Sequence, residues 1–269
     1  MFVVKIGGTE GVDPERVLDD LAQIADEEGF VVVHGGSGVV DDLHEKLDVE
    51  TRYVESPSGM KGRYTDEESM EVFKTGMSKV NIDLVEGLQS RGVNALGLSG
   101  VDGRLLEGEH KDTLIVKEGD RKKVLRGDHS GKIEEVNSDL LELLLDAGYV
   151  PVVGVPIVSH DGTAVNTDAD RAAARVAGAL GCELAVLSDV PGLLRDPDDE
   201  TSLVERVEHG SIDDVKEEYA EGRMKKKLLA AREALDSGAE RVVLGDANVE
   251  NPVSRALEGE GTVIGGERG

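Results

Sequence analysis

Phe30-Val31-Val32-Val33-His34-Gly35-Gly36-Ser37-Gly38 is the stretch whose reading decides the fold. Its apolar run is continuous rather than alternating, the mark of a strand covered on both faces. The run ends in a glycine cluster, and Val39 then opens a polar-faced segment with helical spacing. Outward from this unit the same alternation repeats. Strand-like runs lie at residues 2–6, 93–98, 150–153, 184–188, 241–245 and 262–264. Helix-like segments lie at 14–28, 39–47, 67–91, 138–147, 169–181, 212–217 and 225–237. Asp13 before Pro14 reads as an N-cap with proline in the first turn. Gly29, Gly92, Gly148, Gly181 and Gly238 sit where left-handed C-caps occur. The expected architecture is α/β, a three-layer αβα sandwich around a mainly parallel sheet with right-handed crossovers. Two segments break the rhythm. Residues 52–66 read as a hairpin flap around Ser56-Pro57-Ser58-Gly59. Residues 103–134 read as a polar hairpin excursion, with strands at 113–117 and 122–125 around Glu118-Gly119-Asp120. A soft division near 178–181 separates 1–180 from 181–269.

The chain has 269 residues, 39% of them hydrophobic, enough for a sizeable core. Its 56 acidic and 30 basic residues leave a formal charge of -26. That excludes a general nucleic-acid binder, because a phosphate backbone attracts basic faces; any phosphate site is local. The single cysteine, Cys182, excludes an intramolecular disulfide and any multi-cysteine metal centre. No apolar run is long enough to span a membrane. Met1 to Gly8 runs straight into a strand without signal-peptide design. A cytoplasmic protein is expected. The acidity reads either as a solvated surface or as adaptation to a high-salt cytoplasm, where screening shortens to about 3 Å near 1 M salt. Aromatic content of 3% fits the second reading, and a halophilic, haloarchaeal source is expected.

Several short constellations could carry chemistry. Lys5-Ile6-Gly7-Gly8-Thr9 puts a lysine in a buried strand, which is costly unless the ammonium meets an anion. Two glycines then let backbone approach a ligand; the alternative is a lysine that snorkels outward. His34-Gly35-Gly36-Ser37-Gly38 is a glycine-rich strand-to-helix turn that favours phosphate or carboxylate. It matches neither GxxxxGK[ST] nor GxGxxG. His34 has no companions at metal spacing and reads as a hydrogen-bonded turn histidine. Arg63, before Tyr64-Thr65-Asp66, suits bidentate carboxylate recognition or pairs with a local acid such as Asp66. Asn166-Thr167-Asp168-Ala169-Asp170 either caps a helix or offers Asn166 to a ligand and Asp170 to lysines. Ser188-Asp189-Val190-Pro191-Gly192-Leu193 closes a later strand, at the end where open α/β sheets bind ligands. Lys225, Lys226 and Lys227 near a helix start oppose its dipole, unless an anion binds there.

Taken in order, these segments resemble the amino acid kinase family. Lys5-Ile6-Gly7-Gly8, His34-Gly35-Gly36, Arg63 with Thr65-Asp66, Asn166 to Asp170, Ser188 to Gly192 and Met224 to Lys227 are similar to N-acetylglutamate kinase and its relatives over nearly the whole chain. The lead-in Tyr53 to Gly62 and the run Asp128 to Asn137 look most like the branch that acts on a carrier-bound amino acid, the [LysW]-aminoadipate/[LysW]-glutamate kinases. The resemblance implies a carbamate kinase-like fold and transfer of the ATP γ-phosphoryl to a side-chain carboxylate. By the same resemblance, Lys5 and Lys227 are catalytic and Asp170 orients them, with Lys225 a second candidate for the transferring phosphoryl. Gly35, Gly36, Arg63 and Asn166 bind the acceptor. Gly7, Gly8, Ser188, Asp189, Gly192, Leu193 and Lys225 border the nucleotide, whose phosphates magnesium bridges; no protein metal site is implied. The expected halves are an amino-acid lobe (1–180) and a nucleotide lobe (181–269). The expected partner is LysW, a small acidic carrier protein, steered by the basic island Lys111, Lys117, Arg121, Lys122, Lys123 and Arg126. A homodimer is expected, with neither nucleic-acid nor membrane partners. The alternatives are an N-acetylglutamate kinase using the free molecule, and a non-catalytic amino-acid sensor.

Overall fold

The computed structural model describes residues 1–266 except Thr9, Glu10, Ser58, Met60 and Asp120. Those parts of the turn after the first strand, the flap motif and the excursion turn lie outside the described residues. In chain order the elements are β1 (Phe2–Ile6), α1 (Pro14–Ile24), β2 (Phe30–His34), α2 (Ser37–Lys46), β3 (Arg52–Glu55), β4 (Lys61–Tyr64), α3 (Glu67–Ser90), β5 (Ala95–Gly100), β6 (Leu106–Glu118), β7 (Arg121–Val136), α4 (Ser138–Asp146), β8 (Val150–Ser159), β9 (Ala164–Val165), α5 (Ala169–Leu180), β10 (Glu183–Ser188), β11 (Arg206–Val207), α6 (Ile212–Tyr219), α7 (Gly222–Asp236), β12 (Arg241–Asp246), α8 (Pro252–Leu257) and β13 (Thr262–Gly265).

One sheet runs β11-β13-β12-β10-β1-β2-β8-β6-β7, with β5 and β9 also paired to β8. From β12 through β10, β1 and β2 to β8 every pairing is parallel. β13 on β12, β7 on β6 and β9 on β8 are antiparallel. The continuous apolar runs are explained by two covered faces. Val3, Val31, Val33, Leu184, Val186, Val242 and Leu244 face the layer that holds α5 and α7. Phe2, Val4, Phe30, Val32, Ala185, Leu187 and Val243 face α1 and α8. Each fully buried valine or leucine contributes about 1.5–3 kcal/mol by area. The 24-residue α3 joins the layers: Met70, Phe73 and Met77 pack on one side and Leu84 and Leu88 on the other. Buried Asp20 of α1 accepts from Val253 N, Ser254 N and Ser254 Oγ at 2.7–2.8 Å and so caps α8 from a distant element.

Several boundaries differ from the sequence reading. α1 ends at Ile24 rather than 28, where no basic residue serves its last turn and Asp26-Glu27-Glu28 would oppose the dipole. Gly29 therefore does not cap it, whereas Gly92, Gly148, Gly181 and Gly238 do have positive φ. β8 passes through Pro156, where β5 shifts register between Ser99 and Gly100. The excursion is a long hairpin rooted in the main sheet, since β6 pairs with β8 at Glu107↔Val158. Charged residues around a narrow buried stripe, Val116 and Leu125, hide its true length. α8, β9 and β11 are too short to show periodicity. The division near 178–181 falls at the left-handed cap of α5, and the sheet runs unbroken across it.

Candidate active site

β1 lies between β2, which follows it in the chain, and β10, which comes much later. The strand order reverses there, so its carboxyl end is where an open α/β sheet forms a ligand crevice. Strand alternation puts Lys5 on the same face as Val3, toward α5. That helix presents Ala172, Ala173, Ala174 and Ala177, all fully buried, and so lies close to the sheet. Asp168 caps α5 by accepting from Asp170 N at 2.9 Å, leaving Asp170 in the first turn. Lys5 is 6% exposed, and its Nζ lies 2.6 Å from Asp170 Oδ1. The contact is a close, buried ion pair.

α7 completes the group. It packs on α5, where Gly178 lies so close to Ser237 that an added Cβ would reach Ser237 Oγ at 2.0 Å. Arg171 pairs with Glu233 at 2.6 Å across the same helices. This docking turns buried Lys227 toward Asp170. Burial alone would raise the Asp170 carboxyl, but the Lys5 and Lys227 ammoniums outweigh it and hold it below the usual carboxylate range. Burial pushes the Lys227 ammonium down. Asp170 and Asp189 oppose that shift, and Lys5 and Arg223 add to it. Lys226 reaches Asp168 at 3.9 Å. Lys225 is set back about 200° round the helix from Lys227; the lysines acting most strongly on Asp170 are Lys5, Lys227 and Lys226. α7 starts at Gly222, earlier than the sequence reading, so the three lysines fall in its second turn.

The two glycine turns meet beside this triad. A Cβ on Gly8 would lie 2.2 Å from Gly36 N and 2.4 Å from Gly35 C, a backbone approach only glycine allows. Gly8 O accepts from Gly38 N at 3.0 Å and from Ser37 Oγ at 3.2 Å. One expectation needs correction. Gly7 N donates to Leu187 O and Gly35 N to Ile6 O, so these two amides are committed within the sheet rather than offered to phosphate. Gly8 N and Gly36 N, by contrast, have no backbone acceptor among the described residues. His34 is a structural residue. Its Nδ1 is 3.2 Å from Gly35 O, and Asn81 Nδ2 is 3.0 Å from its Nε2. Burial lowers it from 6.5 to about 4, with Lys5 adding to the shift against the Gly35 hydrogen bond. It is therefore neutral at physiological pH.

The flap, β3 and β4, packs against β6 and β7 and reaches α2. Arg63 pairs with Asp41 of α2 at 2.8 Å, not with Asp66, which instead caps α3 by accepting from Ser69 N. Tyr53 OH also donates to Asp41, and the Arg63 guanidinium lies 5.3 Å from the Tyr53 ring centre. Burial raises the Tyr53 hydroxyl, against the charges of Arg63 and Arg223. Asn166 donates from Nδ2 to Thr65 Oγ1 at 3.0 Å, joining the base of the flap to the loop before α5. On the other side of β1, Ser188 is buried and its carbonyl accepts from Ala247 N at 2.7 Å. Asp189 packs on Gly11. Gly192 adopts φ 152° against Thr262, and Leu193 points into the core with its N–H on Thr262 Oγ1 at 2.8 Å. Asp41, Arg223 and Asn248 were missed by sequence reasoning. Only Asn248 had a signal, its place just beyond the carboxyl end of a parallel strand.

Among the described residues no group of three or more His, Cys, Asp or Glu could hold a metal ion, and no helix is long and apolar enough to cross a membrane. Comparison with known proteins adds the family. A [LysW]-aminoadipate kinase of Deinococcus radiodurans is 49% identical over 267 residues, covering 98% of this chain and 91% of the relative. One from Thermus thermophilus is 46% identical over 271 residues, covering 98% and 100%. An acetylglutamate kinase of Methanopyrus kandleri is 40% identical over 267 residues, covering 98% and 100%. These sources lend the expected haloarchaeal origin no support. In fold, carbamate kinase from Giardia lamblia bound to AMP-PNP superposes with a TM-score of 0.70 at 14% identity, over 99% of this chain and 98% of that one. Residues 1–246 match the amino acid kinase family, and the chain belongs to it.

Proposed function

We propose that this protein transfers the γ-phosphoryl of ATP to the side-chain carboxylate of glutamate or 2-aminoadipate held on a LysW-type carrier protein, in arginine or lysine biosynthesis. The observation that carries the reading is the convergence of Lys5 and Lys227 on Asp170 beside the Gly8–Gly36 contact. In the reaction a carboxylate oxygen attacks the γ-phosphorus, and the bond from that phosphorus to the β,γ-bridging oxygen breaks. The electron pair leaves with ADP, and no proton has to move. Two anions must meet, so the chemistry needs positioned cations more than a base. Lys5 and Lys227 stabilise the charge on the transferring phosphoryl, and Asp170 keeps the two ammoniums from repelling each other apart. Gly8 N and Gly36 N donate to phosphate and to the reacting carboxylate. Asp170 is paired with Lys5, and magnesium would enter with the nucleotide, as part of the substrate MgATP. Arg63 and Asn166 hold the far end of the acceptor, the carboxylate displacing Asp41 from Arg63. Residues 1–180 then act mainly on the amino acid and 181–269 on the nucleotide.

The arm β6–β7 supports a protein-borne acceptor. Its basic island is exposed on a chain of charge -26. Tyr64 OH donates to Arg126 O at 2.7 Å, so the arm is laced to the flap beside the proposed acceptor site. Cross-strand register sorts the charges. Arg126, Lys117 and Lys122 share one face with exposed Ile115 and Val124, while Lys123 lies on the other face and is held by Glu118 at 3.2 Å. By family resemblance the enzyme works as a cytoplasmic homodimer, which light scattering would check. The test of function offers purified enzyme and MgATP three acceptors: carrier loaded with glutamate, carrier loaded with 2-aminoadipate, and free N-acetylglutamate. Hydroxylamine traps the acyl phosphate. Hydroxamate on the carrier is expected. Turnover of the free molecule alone would establish the N-acetylglutamate kinase instead, and no turnover would revive the sensor.

A further inference from the structure

The turn after β1 is secured at both ends, and the second anchor is far away in the chain. At its start, Gly7 N is bonded into the sheet at Leu187 O, 3.1 Å, and Gly8 O is held from α2. At its end, Asn248, just beyond β12, uses both halves of its side-chain amide. Its Nδ2 donates to Gly11 O at 2.8 Å, and its Oδ1 accepts from Asp13 N at 3.1 Å. Asn248 is itself fixed, since Asn248 N donates to Asp246 Oδ1 at 2.8 Å and the preceding Ala247 N donates to Ser188 O. Gly11 leans on Asp189: a Cβ there would lie 3.0 Å from Asp189 Cβ and 3.1 Å from its Oδ2. The Asn248 side chain thus ties the β1–α1 turn to the carboxyl end of β12, and the adjoining Ala247 amide ties that end to β10. A side chain that only capped a turn would not need both its donor and its acceptor on another loop more than 230 residues away.

We propose that Asn248 is a positioning residue for phosphoryl transfer: it holds the β1–α1 turn so that the Gly8 amide faces the reacting phosphoryl and Asp189 stays seated against Gly11. The proposal rests on the kinase reading but on no particular acceptor. It acts through backbone, since Asn248 touches neither Lys5 nor Asp170. A misplacement of the donor by about 1 Å costs rate on the order of 100-fold while leaving acceptor contacts alone. The experiment compares the full-length enzyme with Asn248→Ala and with the isosteric Asn248→Asp, which keeps the acceptor for Asp13 N and loses the donor to Gly11 O. Each is assayed with whichever acceptor the unaltered enzyme turns over. The expected result is a kcat lower by about 10- to 100-fold, with acceptor KM within about twofold and the same unfolding midpoint as the parent. Hydrogen exchange over residues 7–13, with and without AMP-PNP, gives a readout independent of acceptor. Nucleotide protects this segment in the parent and fails to in both variants. Unchanged kcat with unchanged protection overturns the proposal, as does a kcat loss matched by a fallen unfolding midpoint in both variants. A parent idle on every acceptor would instead overturn the function reading, and the exchange comparison would then decide the role of Asn248.

Discussion

Lys5, Asp170 and Lys227 form a buried group in which two positive charges share one carboxylate. Its pH behaviour follows from that sharing. On the proposed mechanism Lys227 acts as an ammonium on the transferring phosphoryl, and its folded-state pKa lies below the ordinary lysine value of 10.5. The rate should therefore fall as pH rises through a pKa below 10.5, and Lys227→Arg should remove that limb at the expense of kcat, because a guanidinium does not titrate there. A pH–kcat profile of both enzymes checks this. His34 makes the second prediction. Its folded pKa of about 4 lies below the 6.5 of the unfolded chain, so between these values the unfolded state binds the extra proton. Stability is fully present above 6.5 and lost progressively down to about 4, on the order of 3 kcal/mol in all. Urea midpoints should fall across that window, and less steeply in His34→Gln. The lysine, the glycines and Asp170 were legible in the sequence because burial of charge and strand-end glycines are costly without a purpose. Asp41 as the partner of Arg63, and Asn248 as the partner of Gly11, were not. Neither contact follows from local pattern, because the fold brings together residues 22 and 237 positions apart.

At the scale of elements, the parallel strands were readable because being covered on both faces demands unbroken apolar runs. The full length of the arm was not, because its buried residues, Val116, Leu125 and Ile133, are spread thinly among charges; only its register shows which charges act together. That register makes the third prediction. Lys117→Glu with Lys122→Glu should raise the KM for the loaded carrier and steepen its loss with salt, while ATP binding is unchanged. Lys123→Glu should do less, since Glu118 already neutralises that side chain. Carrier kinetics indifferent to the first pair would separate the arm from recognition. The flap and arm are joined by Tyr64 to Arg126 O, Thr65 N to Asp128 Oδ1 at 2.9 Å and His129 N to Thr65 O at 2.7 Å, so they should shift together when an acceptor binds.

For the whole molecule the dominant number is -26. At low ionic strength exposed carboxylates repel one another across the surface, and near 1 M salt that repulsion is screened beyond about 3 Å. The unfolding temperature should therefore rise with potassium chloride from dilute buffer upward. A flat response would leave the acidity as a merely solvating surface. The overall architecture was legible at this scale from alternation alone. The strand order was not, because the pairing of β1 with β10 leaves no trace in either segment.

That pairing has a consequence for synthesis. Phe2 sits beside Glu183 and Ile6 beside Leu187, so a nascent chain leaving the ribosome cannot complete its opening strand until some 180 further residues have emerged. Until then one border of that strand is a bare row of amides and carbonyls, open to strays from other chains. Translation pauses placed before residue 183 should lengthen this vulnerable interval, and folding yield should drop with them.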